Sequence, residues 1–270
     1  MLNDTHKRPR LFVIGTGPGD LCYMAPRALE LLNQADSIAG YTTYIDLIRP
    51  VIKDKQIIST GMTKEVERVE KAIFEALSGK ACALVSGGDS GIYAMAGLVF
   101  ELCQKKGLNL VRYPSETLPH AQKNTLEIEI VPGIPALAAG ASLVGAPLTH
   151  DFAVISLSDL LTPWETIEKR LHAAAMADFV IAIYNPKSKK RDWQLARARE
   201  IIAEYRDPKT PVGIVTSAMR EQQQVTIVCL GEMDKAQVNM QTVLFVGNSA
   251  STAYLDFMYT PRGYSKKYAL

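Results

Sequence analysis

Short apolar runs that each stop at a glycine or proline turn constrain this chain more than any other feature. Residues 11–15 (LFVIG), 81–86 (ACALVS) and 126–131 (LEIEIV) run into Gly15-Thr16-Gly17, Gly87-Gly88-Asp89 and Pro132-Gly133. Runs this short and this apolar suit strands covered on both faces, which is the condition of a parallel sheet. Between them lie helical patterns. Pro26 suits a first helical turn, and Ala28, Leu29, Leu31, Leu32 and Ala35 continue its stripe. Val66, Val69, Ile73 and Leu77 recur at helical spacing until Gly79-Lys80 stops them. The spacing predicts further helices over 41–48, 92–106, 135–144, 163–176 and 192–205. Strands are expected at 37–40, 152–157, 179–184, 212–216, 224–229 and 242–246. Strands alternating with helices of this length make an α/β protein, and the crowding of strands after Pro211 adds an antiparallel part to the second half. The expected boundary separates residues 1–148 from 149–270, near Pro147. The polar stretch 113–125 looks like an exposed insertion.

With 270 residues, there is room for two domains of ordinary size. The 30 Lys and Arg against 28 Asp and Glu leave a formal charge of +2, which argues against a nucleic-acid partner. No apolar window approaches the roughly 18 residues of a membrane span, and the polar start followed by a short apolar run does not read as a signal peptide. The four cysteines, Cys22, Cys82, Cys103 and Cys229, are scattered without a Cys-x-x-Cys pair. They read as small core residues in a reducing cytoplasm. His6, His120, His150 and His172 show no metal-ligand spacing, so no metal site is expected.

Three strand-end loops carry the chemistry. In residues 15–20 the glycines invite a dinucleotide reading, but the sixth position of that fingerprint is Asp20, and Pro18 removes a backbone donor. Taken alone, the loop is equally a tight turn that needs glycine for its backbone. Residues 86–93 (SGGDSGIY) place bare backbone and Asp89 at a strand's carboxyl end, where open α/β sheets bind ligands. Residues 131–136 (VPGIPA) repeat the device. The Walker pattern is absent, so triphosphate chemistry has no support.

Taken together, VIGTGPGD (13–20), SGGDSGIY (86–93), VPGIPA (131–136) and PLTHDF (147–152) resemble the tetrapyrrole methylase family of S-adenosylmethionine-dependent enzymes, over nearly the whole chain. YNPKS (184–188) and LSD (157–159) resemble the branch that methylates C17 of precorrin-3B, or of cobalt-factor III in its cobalt-containing counterpart, with contraction of the ring. That resemblance implies two α/β domains with a cofactor cleft between them, the second with a mixed sheet. It also implies a homodimer and a tetrapyrrole substrate in cobalamin biosynthesis, with S-adenosylhomocysteine as the spent cofactor. Matched by motif, Pro18 lines the cleft; Gly87, Gly88 and Asp89 cradle the amino-acid end of the methyl donor, with Ile92 close by. Pro135 and Ala136 touch the cofactor, Tyr184 and Asn185 its adenosine, and Ser217 and Ala218 its adenine. Asn185 departs from the family, whose members often carry methionine there.

The implied reaction is an in-line displacement at an already activated methyl group, so the protein has mainly to align reactants and exclude water. Ring contraction calls for a proton acceptor, for which Asp20, His150 and Asp159 are the candidates. The substrate's carboxylates suit Lys187, Lys189, Lys190 and Arg191. Two of these sites have plainer readings: His150-Asp151 as a turn and residues 187–191 as a solvated helix start. The same fold also serves other acceptors, among them precorrin-4, precorrin-2 and macromolecules, and a NAD-type oxidoreductase is the reading that Pro18 and Asp20 oppose.

Overall fold

The apolar runs become the strands of two sheets in a computed structural model that describes residues 8–115, 124–188 and 191–268. Residues 116–123 of the expected insertion, together with Lys189 and Lys190, lie outside the described residues. The chain divides into two compact units, Met1–Pro135 and Ala136–Leu270.

In the first unit the order is β1 (Arg10–Gly15), α1 (Pro26–Gln34), β2 (Ser37–Tyr41), α2 (Thr42–Ile48), β3 (Gln56–Thr60), α3 (Glu65–Leu77), β4 (Ala81–Ser86), α4 (Ala96–Lys105), β5 (Asn109–Arg112) and β6 (Thr125–Val131). Its six-stranded sheet has the order β3-β2-β4-β1-β6-β5, and every pairing is parallel. Alternation along β1 sorts the core. Leu11 and Val13 pack with Ile73 of α3 and Val99 of α4, while Phe12 and Ile14 pack with Leu31 of α1 and Ile45 of α2. Both faces are therefore covered, as the uniform runs required. Helix α4 begins at Ala96 rather than at residue 92, because Tyr93 takes a left-handed φ of 51°.

In the second unit, α5 (Ala136–Val144) and β7 (Gly145–Ala146) precede β8 (Phe152–Ser156), α6 (Trp164–Met176), β9 (Val180–Tyr184), α7 (Gln194–Ala203), β10 (Pro211–Thr216), β11 (Gln224–Cys229) and β12 (Thr242–Val246). A hairpin of β13 (Thr252–Tyr254) and β14 (Phe257–Tyr259) follows. The main sheet has the order β11-β10-β12-β9-β8, with β8 and β9 parallel and the other pairs antiparallel. Helices α6 and α7 bury Leu171, Ala198 and Ile201 on one face; α5 covers the other with Ala139 and Val144. A Cβ on Gly140 of α5 would stand 2.7 Å from Val243 and 2.9 Å from Phe245. That close seat is why the division falls at the start of α5, ahead of the expected 148/149 boundary.

One expectation about packing is corrected. Cys82 and Cys103 are buried, but Cys22 and Cys229 are exposed and are not core residues. Trp164, at the start of α6, and Trp193, just before α7, pack on one another edge-to-face at 4.8 Å.

Candidate functional site

The order β4-β1-β6 sets the carboxyl ends of three strands side by side, and their loops are the three that the sequence singles out. Thr16 continues the ladder past β1, its N–H and its hydroxyl both donating to Ser86 O, at 2.9 and 3.0 Å. Gly17 and Gly88 then exchange a pair of backbone bonds at 3.1 and 2.7 Å, each with left-handed φ (80° and 70°) that a side chain would oppose. Below them the strand ends touch. A Cβ on Gly133 would lie 2.2 Å from Gly88 O and 2.7 Å from Gly15 carbon, and one on Gly15 would lie 2.7 Å from Gly133 N. A Cβ on Gly87 would strike the Tyr44 ring at 2.4 Å. The glycines thus do more than allow a turn; they let three backbones meet without side chains between them.

Asp89 closes this arrangement. Its Oδ2 accepts from Gly133 N at 3.0 Å and its Oδ1 from Gly91 N at 2.7 Å, so one carboxylate joins the second loop to the third. Ser90, fully buried, adds a hydroxyl bond to Val131 O at 3.2 Å. Pro18 is buried beside the bridge, and Ile92, Tyr93 and Ile134 are exposed apolar side chains on the same loops. Asp20 is exposed. It caps the short turn Leu21–Tyr23 by accepting from Cys22 N at 2.9 Å, and these bonds to Cys22 hold its carboxyl below the usual carboxylate range. Pro18, Gly87, Gly88, Asp89, Ile92 and Pro135 therefore share one sheet edge, as the motifs imply. Tyr44, which supports it, carries no motif signal and emerges only because Gly87 has no side chain; Ser90 lies within the 86–93 motif, but its bond to Val131 is not legible there.

The second unit has its own carboxyl edge, where β8, β9 and β10 end together. Ala136 opens α5, and the Tyr184 hydroxyl accepts from Leu137 N at 2.7 Å in the first turn of that helix. Asn185 follows with φ 52° and donates from Nδ2 to Ser156 Oγ at 2.9 Å. Ser217, also left-handed at φ 53°, is buried and donates to Gln241 Oε1 at 2.8 Å, with Ala218 buried after it. Left-handed non-glycine residues cost free energy and gather where a fold is held to a purpose. Asp159 accepts from Gln194 Nε2 at 2.8 Å. Lys187 is exposed.

His150, one of the proton-acceptor candidates, precedes β8 and accepts from Asp151 N at 2.9 Å, the hydrogen bond of its plainer reading as a turn. One reading changes here. Arg191 belongs to no solvated helix start: it is 7% exposed, and its Nη1 donates to Leu157 O at 3.0 Å and to Asn185 O. Burial lowers its pKa against the raising effect of Asp159.

Among the described residues no group of three or more His, Cys, Asp and Glu side chains is placed to hold a metal, and no helix is long and apolar enough to cross a membrane.

Comparison with known proteins agrees with this geometry. The family model described as Tetrapyrrole (Corrin/Porphyrin) Methylases matches residues 10–234. The chain is 48% identical over 261 residues to the cobalt-factor III methyltransferase of Priestia megaterium, covering 97% of this chain and 46% of that protein. It is 46% identical over 255 residues to the probable cobalt-factor III C(17)-methyltransferase of Salmonella typhimurium, covering 94% of this chain and 99% of that one. The solved structure of the methyltransferase CobJ superimposes with a TM-score of 0.81 at 35% identity, over 93% of this chain and 99% of that chain. The chain thus spans less than half of the first relative and nearly the whole of the second.

Proposed function

The chain belongs to the tetrapyrrole (corrin/porphyrin) methylases, and from that premise we propose that it methylates C17 of cobalt-factor III, or of precorrin-3B, in cobalamin biosynthesis, with contraction of the ring. The observation that carries the reading is the meeting of the carboxyl ends of β4, β1 and β6, where the three motif loops are joined backbone to backbone at their glycines. The names of the relatives supply the acceptor. The donor is S-adenosylmethionine, which brings a methyl group already activated on a sulfonium.

The residues fit that donor. Gly87, Gly88 and Asp89 hold its amino-acid end, while Pro18, Ile92, Pro135 and Ala136 pack against it. Tyr184, Asn185, Ser217 and Ala218 form the part that meets the adenosine. Asp89 acts by shape: its oxygens receive two loop amides, so it keeps the loops joined and leaves a net negative charge beside a positive ligand. The apolar side chains Ile92 and Ile134 exclude water from the reacting face. A proton acceptor for ring contraction is sought at Asp20, His150 and Asp159; Lys187 meets a carboxylate of the macrocycle. The working protein is a cytoplasmic homodimer.

The test is to incubate the protein with S-adenosylmethionine and, in separate reactions, cobalt-factor III and precorrin-3B, and to weigh the products. A product heavier by one methyl group, with S-adenosylhomocysteine released, supports the reading. No methylated product from either acceptor refutes it.

A further inference from the structure

We propose that Arg191 is a positioning residue for the methyl donor: its buried guanidinium fixes the backbone of Asn185 at the carboxyl end of β9 and does not itself contact the tetrapyrrole. The inference rests on the proposed function, in which this edge meets the adenosine.

The geometry is that of an internal brace. Nη1 donates to the carbonyls of Leu157 and Asn185, so one nitrogen ties the segment after β8 to the segment after β9. Nε stands 3.8 Å from Asp159 Oδ1, and Nη2 approaches Met240 Sδ at 4.0 Å. The arginine's own main chain is pinned as well, since Ser188 N donates to Arg191 O at 2.8 Å and Arg191 N to Ser188 O at 3.3 Å. Asn185 is consequently held from two sides, by the guanidinium on its carbonyl and by Ser156 Oγ on its side chain. Those restraints oppose the tendency of a φ of 52° to relax into the right-handed or extended region. A solvated carboxylate on a macrocycle would have to draw Arg191 out of these bonds in order to use it. The planar fork also matters: lysine is a compact point charge on a flexible stem and does not reproduce a guanidinium that is fixed in one plane.

Arg206 provides the matched control. It is equally buried (6%) and in the same unit, but it donates to Phe179 O at 2.9 Å and pairs with Asp178, at the amino end of β9. Calorimetric titration with S-adenosylhomocysteine and steady-state kinetics on the full chain are run for wild type, Arg191→Lys and Arg206→Lys. We expect Arg191→Lys to weaken S-adenosylhomocysteine roughly tenfold, the change that follows from losing about one charge-assisted hydrogen bond. The KM for the tetrapyrrole stays within about twofold, and Arg206→Lys lowers Tm without changing either constant. An unchanged donor Kd with a raised tetrapyrrole KM in Arg191→Lys overturns the inference, because Arg191 then touches substrate. Equal donor losses in the two variants at equal Tm also overturn it. If wild type does not bind S-adenosylhomocysteine, the proposed function falls and this inference with it. Should Arg191→Lys fail to fold, Asn185→Gly and Asn185→Ala separate the same idea. Both remove the amide side chain and its bond to Ser156, but only glycine tolerates the left-handed backbone, so alanine is expected to lose more donor affinity than glycine. Equal affinities for the two refute the backbone role.

Discussion

Replacing Gly133 by alanine tests the contact on which the first unit's edge depends. The new Cβ would stand 2.2 Å from Gly88 O and 2.7 Å from both the carbon and the oxygen of Gly15. All three obstacles are main chain, so no side chain can swing aside, and the loops after β1, β4 and β6 must part by roughly 1 Å to reach ordinary contact. Parting them strains the Gly17–Gly88 bonds and the bond from Gly133 N to Asp89. Overpacking of this kind costs about 1–3 kcal/mol, and a buried amide left unpaired costs about as much again. The two effects share one movement and are not additive, so about 2–4 kcal/mol is expected, which corresponds to a fall in Tm of roughly 5–15 °C. Affinity for S-adenosylhomocysteine should fall at least about tenfold, because the bare edge is the proposed contact. Gly97→Ala is the control: nothing lies within 4 Å of its added carbon, and alanine is the better helix former there. Scanning calorimetry and ligand titration on both variants decide the matter. A Gly133→Ala protein that melts and binds as wild type refutes the reasoning.

Three more outcomes are expected. Asp89→Ala, which deprives Gly91 N and Gly133 N of their acceptor, should cost about 1–3 kcal/mol and weaken S-adenosylhomocysteine, whereas Asp89→Asn keeps one carbonyl acceptor and loses less; equal affinities for wild type and the alanine variant in a titration would refute this. Asp20→Asn should spare donor binding and slow turnover, as judged by product formed under saturating donor; normal turnover moves the search for the proton acceptor to His150 or Asp159. Burial pushes the Cys82 thiol up to about 12. The unfolded chain gives up that proton near the ordinary thiol value, so it binds fewer protons than the fold in between, and stability declines as pH rises through that window. Native protein treated with iodoacetamide at about pH 8 should therefore label Cys22 and Cys229 but not Cys82 or Cys103; labelling of Cys82 before unfolding would contradict it.

Much of this arrangement could be read in the residues, and physics explains which parts. Strands covered on both faces, such as β1, β4 and β12, declare themselves by continuous apolar runs. The edge strands β3 and β5 do not: Gln56 and Ser59 in one, Asn109 and Arg112 in the other, face solvent and dilute the signal. The end of the first unit is not marked in the sequence, because the small-residue helix at 135–144 could belong to either half until Gly140 is seen against Phe245. The glycine loops were legible one at a time, but their meeting depends on the strand order. Asp89 shows this, since its partner Gly133 lies 44 residues away in sequence and follows a strand two places along the sheet, across β1. Arg191 was the least legible: a basic run reads as a solvated surface, and only the fold reveals that one member of it turns inward onto Leu157 and Asn185.

Backbone hydrogen exchange, measured residue by residue with and without S-adenosylhomocysteine, tests most directly whether three glycine-rich strand ends hold the donor. Slowed exchange concentrated in residues 15–20, 86–93 and 131–136 is the predicted result. Protection at β3, β5 or the β13–β14 hairpin, with those three loops unchanged, would contradict it.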